Sequence, residues 1–270
     1  LHLFSFMYII SFMDNDISAS EITGRKIFFL LPTAVMQNSI IVELTQHEYE
    51  VYITHNKDTL RRVLRKYPDS IVFVDVNEKM PEREWETWIR AVQSAPDTKT
   101  VSIGIITSNS DEDLKNKYLS VIKVACGYTI LKFDLEKSLK EIVDVLHTIG
   151  AKGRRKYIRA TLEEDNHATI NLPLEGSFVN GRIKDISVVG ISFTLDGSPE
   201  IAKNAVVKDV QMILQTSRIK VDGILFGSRM DSREKIYVLL FSQRTDSDVR
   251  TKIRKYIQHS LQTKMDVELR

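Results

Sequence analysis

The spacing of apolar and polar positions changes character near residue 160. Before it, short apolar runs recur: KIFFLL (26–31), EVYITH (50–55), SIVFVDV (70–76), TVSIGIIT (100–107) and YTILKF (128–133). They are rich in β-branched and aromatic residues and mostly do not alternate, the pattern of strands buried on both faces. Between them, Leu60, Val63, Leu64 and Tyr67 fall at i, i+3, i+4 and i+7 and share one helix face. Leu135, Leu139, Ile142, Val143 and Leu146 keep a helical spacing, with Gly150 as the stop. Five strands alternating with helices predict a doubly wound parallel sheet covered on both sides.

After residue 160 the runs become HATINL, GRIKDISVVGISFTL, VVKDVQMILQT, RIKVDGILFGSRM and KIYVLLF, with partial alternation. The pairs Asp165-Asn166, Asn180-Gly181, Asp196-Gly197 and Asp222-Gly223 read as turns between them. Short strands punctuated in this way predict a small barrel or sandwich. A last amphipathic helix is expected from about Asp246, with Val249, Ile253, Tyr256, Ile257 and Leu261 as its buried stripe. The fold class is therefore α/β followed by all-β. The expected divisions are a leader (1–24), an α/β domain (25–150), a junction (151–159) and an all-β domain with its terminal helix (160–270).

Composition narrows the chemistry. A length of 270 residues suits two domains. A net charge of +2 is too small to attract nucleic acid by bulk electrostatics, so an anion site must come from local clustering. Cys126 is the only cysteine, which excludes an internal disulfide and a thiolate metal site and fits a reducing, cytoplasmic setting. His47, His55, His147 and His167 show no metal-ligand spacing, and no nucleophile–base pair stands out. Neither a catalytic residue, a metal nor a cofactor is expected. The opening LHLFSFMYIISFM is apolar but too short to span a bilayer as a helix, and it lacks the marks of a secretory signal. Residues 1–12 are read as an upstream extension with Met13 as the start, the alternative being a short membrane-associating anchor.

The stretch VFVDVNEKMP places Asp75 at a strand end before a Met-Pro turn, while Thr107 ends the fourth run and Lys132 lies near the end of the fifth. In these positions the first domain resembles the receiver domains of two-component signalling. The resemblance implies a flavodoxin-like fold, with Asp75 at the phosphoacceptor position and Thr107 and Lys132 at its partner positions. It departs where receivers hold Mg²⁺ with an acidic pair after the first strand, because Leu31-Pro32-Thr33 stands there. Mg²⁺ requires oxygen ligands in near-octahedral geometry. VNEKMP also reads two residues longer than the usual turn. The domain is accordingly expected to be a pseudo-receiver that makes contacts. Phosphorylation at Asp75 is the alternative.

In AKGRRKYIRA (151–160), three arginines and a lysine crowd around Tyr157 after Gly153. A basic run alone is commonly a solvated face. Downstream, DISVVG sets out Asp185, Ser187 and Gly190. Arg155 and Arg159 form RxxxR, and the two segments together resemble the two-part signature of PilZ domains, over about residues 152–260. That resemblance implies a six-stranded barrel and binding of cyclic di-GMP. The residue chemistry agrees with it. A guanidinium can fork onto phosphate, stack on a purine, or donate twice to guanine O6 and N7. Asp185 can accept from guanine N1–H and N2–H. Ser187 can donate to phosphate or fix its loop. Gly190 permits a positive φ or a close backbone approach. Turn and bulge roles remain the structural alternatives for Asp185, Ser187 and Gly190. In the family, an arginine at the place of Arg154 accompanies an intercalated ligand dimer.

The resemblance thus implies a non-enzymatic receptor whose junction arginines, unpaired and mobile without ligand, close over it and reset the interdomain arrangement. An unidentified protein partner, in motility or another cell-surface behaviour, would take up the signal. No nucleic acid and no stable membrane insertion are expected. The rivals are an adaptor that binds no ligand, the phosphorylation route through Asp75, and nucleic-acid binding through RRKYIR with Arg250, Lys252, Arg254 and Lys255.

Overall fold

The computed structural model describes residues 19–77, 80–131, 135–162, 167–174, 176–231 and 234–270. Residues 1–18 of the leader, Met13 among them, Lys132 and the Asp165-Asn166 pair lie outside them, whereas residues 19–24 of the leader are described. The chain divides into two units: residues up to Leu44 with Tyr49–Lys156, and Thr45–Glu48 with Tyr157–Arg270.

In the first unit the strands are Ile27–Leu30 (β1), Val51–Thr54 (β2), Ile71–Asp75 (β3), Ser102–Thr107 (β4) and Tyr128–Ile130 (β5). All pair in parallel, in the order β2-β1-β3-β4-β5. That is the 2-1-3-4-5 order of flavodoxin-like doubly wound folds, receivers among them. The helices are Ala19–Thr23 (α1), Ala34–Asn38 (α2), Ile40–Gln46 (α3), Lys57–Lys66 (α4), Glu82–Ser94 (α5), Glu112–Asn116 (α6) and Leu135–Thr148 (α7), with a π-helix at Lys117–Ile122. Every residue of β1 and β3 is buried, as their unbroken apolar runs require, and Phe29 stacks on Phe73 at 5.2 Å between ring centres. The Asn56 side chain caps α4 by accepting from Asp58 N and Thr59 N. Leu60, Val63 and Leu64 form the buried face of α4, whereas Tyr67 caps its carboxyl end. Beyond α7 the chain turns at Gly150, whose φ of +63° suits a residue without Cβ.

The second unit contains Ala160–Thr161 (β6), Ala168–Leu174 (β7), Ser177–Ser187 (β8), Gly190–Leu195 (β9), Ala205–Leu214 (β10), Ser217–Asp231 (β11), Glu234–Phe241 (β12) and the helix Ser247–Glu268 (α8). Neighbouring strands pair antiparallel, and the β8–β9 ladder closes β7 to β12 into a six-stranded barrel. β6 adds to β8 beyond the end of β7. Closure leaves the ring no open edge, which a sandwich would have to protect. Ile170, Phe193, Met212, Leu225 and Leu239 fill the interior, and Ile253, Tyr256 and Ile257 of α8 join the same core. Val249 and Leu261, the ends of the expected stripe, pack against it partly buried.

Two expected turns are corrected. Asn180-Gly181 lies inside β8 and Asp222-Gly223 inside β11. A Cβ on Gly181 would stand 1.9 Å from Thr194 O, and one on Gly223 would stand 2.5 Å from Leu240 O. These glycines let strands approach closely within the barrel and do not reverse the chain. Asp196-Gly197 is a turn, with φ of +72° at the glycine.

Candidate ligand-binding site

The end of the first motif segment is brought to the second by strand pairing. Thr161 of β6 stands opposite Asp185 of β8, and Arg159 lies two residues ahead of Thr161. A bulge at Lys184 shifts the β8–β9 register between Ile183 and Asp185. Without the extra residue, alternation would turn Asp185 inward with Ile183. With it, Lys184 and Asp185 are both partly exposed, and Ile186 returns to the core. A bulge commonly re-aims one side chain in this way. Asp185 thereby reaches Arg159, with Nη1 3.8 Å from Oδ1 and both side chains 30% exposed. The expectation of unpaired arginines is corrected at this pair.

Asp185 Oδ2 has a second partner that the motif does not contain. Ser192 Oγ donates to it from the facing position on β9. Ser192 is legible in principle. Counting outward from the two-residue turn Val188-Val189 pairs 187 with 190, 186 with 191, and 185 with 192.

Ser187 and Gly190 serve the turn itself. Ser187 is 4% exposed; its Oγ donates to Gly190 O at 3.2 Å and accepts from Val189 N at 3.4 Å. Of the two roles open to it, fixing the loop is the one its bonds express. Gly190 has no positive φ, but a Cβ there would stand 2.5 Å from Leu239 O. Close approach to β12 is therefore what requires glycine at this position.

Arg154 and Arg155 fall in the first unit. Their backbone N–H groups donate to Glu21 O and Ile22 O at 2.8 and 2.9 Å, so this part of the expected mobile junction is tied down through its backbone. Both side chains are exposed. That of Arg154 lines an open polar pocket of about 630 Å³, together with Lys152, Glu21, Asp69 and Arg25. Arg25 is structural. It donates to the carbonyls of Asp69, Ser70 and Ile149 and to Ser102 Oγ, at the amino ends of β3 and β4. Burial lowers its pKa. Ligands of open α/β sheets bind at the carboxyl ends of the strands instead.

At that carboxyl end stands Asp75, 1% exposed. Its Oδ1 accepts from Asn77 N at 3.0 Å and Asn77 Nδ2 at 2.8 Å. Asn77 Oδ1 in turn accepts from Thr107 Oγ1 at 2.7 Å and from Ser108 N at 3.1 Å. Asn77, which the sequence pattern does not single out, thus joins Asp75 to Thr107. In the place of an acidic pair, Leu31 is buried with φ of +55°, and Thr33 Oγ1 accepts from Met36 N to cap α2. That segment starts a helix and offers no carboxylate.

Other candidates are absorbed into the fold. Cys126 is buried, and burial pushes its pKa up to about 11. Arg250, named for a basic helix face, donates to the carbonyls of Ser242, Gln243 and Thr245. Among the described residues no group of three or more His, Cys, Asp or Glu could hold a metal. No described helix is long and apolar enough to cross a membrane.

Strand order in the first unit and ring closure in the second define a receiver-like α/β unit joined to a PilZ-like six-stranded barrel. No family model and no curated protein matches the chain. Among solved structures, the PilZ domain of YcgR from Escherichia coli with c-di-GMP matches at 15% identity and a TM-score of 0.36, covering 43% of this chain and 96% of that one. The K. pneumonia MrkH–c-di-GMP complex matches at 21% identity and a TM-score of 0.36, over 43% of this chain and 57% of that one. Chemotaxis response regulator CheY4 of Vibrio cholerae matches at 21% identity and a TM-score of 0.38, over 46% of this chain and 100% of that one. At such identities the likeness concerns the fold alone.

Proposed function

We propose that the chain is a cyclic di-GMP receptor of the cytoplasm, without catalytic activity, that passes the ligand signal to a protein partner in motility or related surface behaviour. The observation that carries this reading is the meeting of Arg159 with Asp185 on the outside of a closed barrel. A cation for phosphate or purine and a carboxylate for guanine N–H groups then stand side by side, each with a partner it can exchange for the ligand. Giving up that partner costs little, because a partly exposed pair 3.8 Å apart contributes about 1 kcal/mol.

Arg155 and Arg154, four and five residues earlier in the chain, are proposed to complete the cationic set. Asp185 reads guanine. Ser187 and Gly190 shape the turn beside it. Closing the arginine side chains over the ligand, with the backbone of Arg154 and Arg155 held by Glu21 and Ile22, is proposed to change the interdomain arrangement. It can do so only as far as the ligand favours the closed state. Asp75 takes no part in this.

Isothermal titration of the chain with cyclic di-GMP tests the reading. Saturable heat at micromolar ligand or below is the expected result. Two nucleotides per chain would indicate the intercalated dimer. Absence of binding would leave a barrel that acts as an adaptor. Small-angle scattering with and without ligand tests the rearrangement, and identical curves at saturation would remove that part alone.

A further inference from the structure

We propose that Ser192 is the positioning residue that sets the specificity of the site for guanine. The inference rests on the reading of Asp185 as the guanine-binding carboxylate.

The observations are local to β8 and β9. Asp185 is turned outward by the bulge at Lys184, and Ser192 is the residue directly across the ladder from it. Ser192 Oγ donates to Oδ2, while Arg159 approaches Oδ1. An aspartate on an outward strand position otherwise rotates between staggered χ1 wells and turns its carboxylate broadly about χ2. A donor fixed to one oxygen from the neighbouring strand removes much of that freedom. A carboxylate offers about four acceptor sites, so an oxygen bonded to one hydroxyl keeps further capacity. Guanine presents N1–H and N2–H as two nearly parallel donors. A carboxylate meets both only when its plane is aligned with the base. Ser192 supplies that alignment before the ligand arrives, and preorganised partners lose less on binding. When ligand comes, Arg159 can leave Oδ1 for a phosphate or a purine face, while Ser192 stays in place. Lys184, the nearest other cation on β8, is already paired with Glu234 at 2.6 Å and does not compete for Asp185.

The test uses the full chain and two ligands, cyclic di-GMP and its inosine counterpart, which keeps N1–H and lacks the 2-amino group. Ser192→Ala should weaken cyclic di-GMP binding on the order of tenfold, as expected for losing a hydrogen bond to a charged group. It should weaken the inosine ligand less, so the preference between the two narrows. Ser192→Thr keeps the hydroxyl and suits a strand, and it should restore both affinity and preference to within about twofold. With Asp185→Asn already present, Ser192→Ala should add little, because the carboxylate it positions is gone. Equal losses on both ligands, no recovery with threonine, or full additivity with Asp185→Asn would each overturn the proposal. So would an unchanged affinity in Ser192→Ala, with the receptor reading left standing. A wild-type chain that binds neither ligand would instead sink the receptor reading first, and this inference with it.

Discussion

Asp75 and Asp185 both stand near strand ends, and the fold treats them in opposite ways. Asp75 ends β3 with 1% of its surface exposed, and Asn77 ties it to the buried Thr107. Asp185 sits 30% exposed on the outer face of β8, between a hydroxyl and a guanidinium that both come from other strands or their approaches. The first carboxylate is enclosed by neighbours two residues away and by the adjoining strand. The second is oriented but still reachable. A strand-end aspartate becomes a site when its partners can be exchanged, and becomes structure when they cannot.

The largest expected effects fall on Arg159, which faces the reachable carboxylate, and on Arg155, which is proposed to join it at the ligand. Arg159→Ala and Arg155→Ala should each weaken cyclic di-GMP binding by about a hundredfold or more in calorimetry, because each removes a charge-assisted contact to a dianionic ligand. Arg159→Ala should not lower the melting temperature noticeably, since the Arg159–Asp185 pair is partly exposed and the barrel is held by its apolar core. Unchanged affinity in both variants would end the receptor account. Asp185→Asn comes next. It keeps the shape but replaces one acceptor oxygen with a donor. A loss of roughly tenfold or more is expected, with weakened discrimination against cyclic di-AMP. Undiminished discrimination would mean that guanine is read elsewhere. If the titration gives two nucleotides per chain, Arg154→Ala should act more gently than the other changes, lowering that number to one with only a few-fold loss of affinity for the first. A stoichiometry insensitive to this change would separate Arg154 from the ligand.

Much of this contrast is legible in the order of residues alone. Apolar runs mostly without alternation mark the five strands of the sheet, with boundaries within one or two residues for the first four. The fifth is shorter than its apolar run, ending at Ile130. Local signals fail where the barrel imposes its own geometry. Asn180-Gly181 and Asp222-Gly223 have the composition of turns, yet close strand approach is what demands those glycines, and no local propensity encodes it. The motif also groups residues of different kinds without distinguishing them. Asp185 and Arg159 face outward, whereas Ser187 and Gly190 build the turn. Ser192 and Asn77 carry no motif signal, because each acts through a carboxylate elsewhere in the chain. Hairpin counting reveals Ser192, and the bulge that exposes Asp185 shows as a break in alternation, with Lys184 and Asp185 both polar between Ile183 and Ile186.

The smallest expected effect on ligand binding, and the sharpest test of the contrast, concerns Asp75. Asp75→Asn retains an acceptor for Asn77 N and Nδ2, so cyclic di-GMP affinity should stay within about twofold of wild type. Acetyl phosphate should leave the wild-type chain unlabelled. The carboxylate is buried and bonded to Asn77, and Leu31-Pro32-Thr33 supplies no acidic pair to hold the cation that would neutralise a phosphoryl group. Stability should show the reverse order. Asp75→Ala removes a buried carboxylate that accepts from Asn77 N and Nδ2, and should cost about 1–3 kcal/mol in denaturant unfolding. Asp185→Ala removes one end of a partly exposed pair and the acceptor of Ser192 Oγ, which water can replace, and should cost about 1 kcal/mol or less. Phosphorylation of Asp75 together with altered ligand affinity would make the first unit an input domain. Equal stability losses at the two aspartates would show that exposure does not separate them as their surroundings indicate.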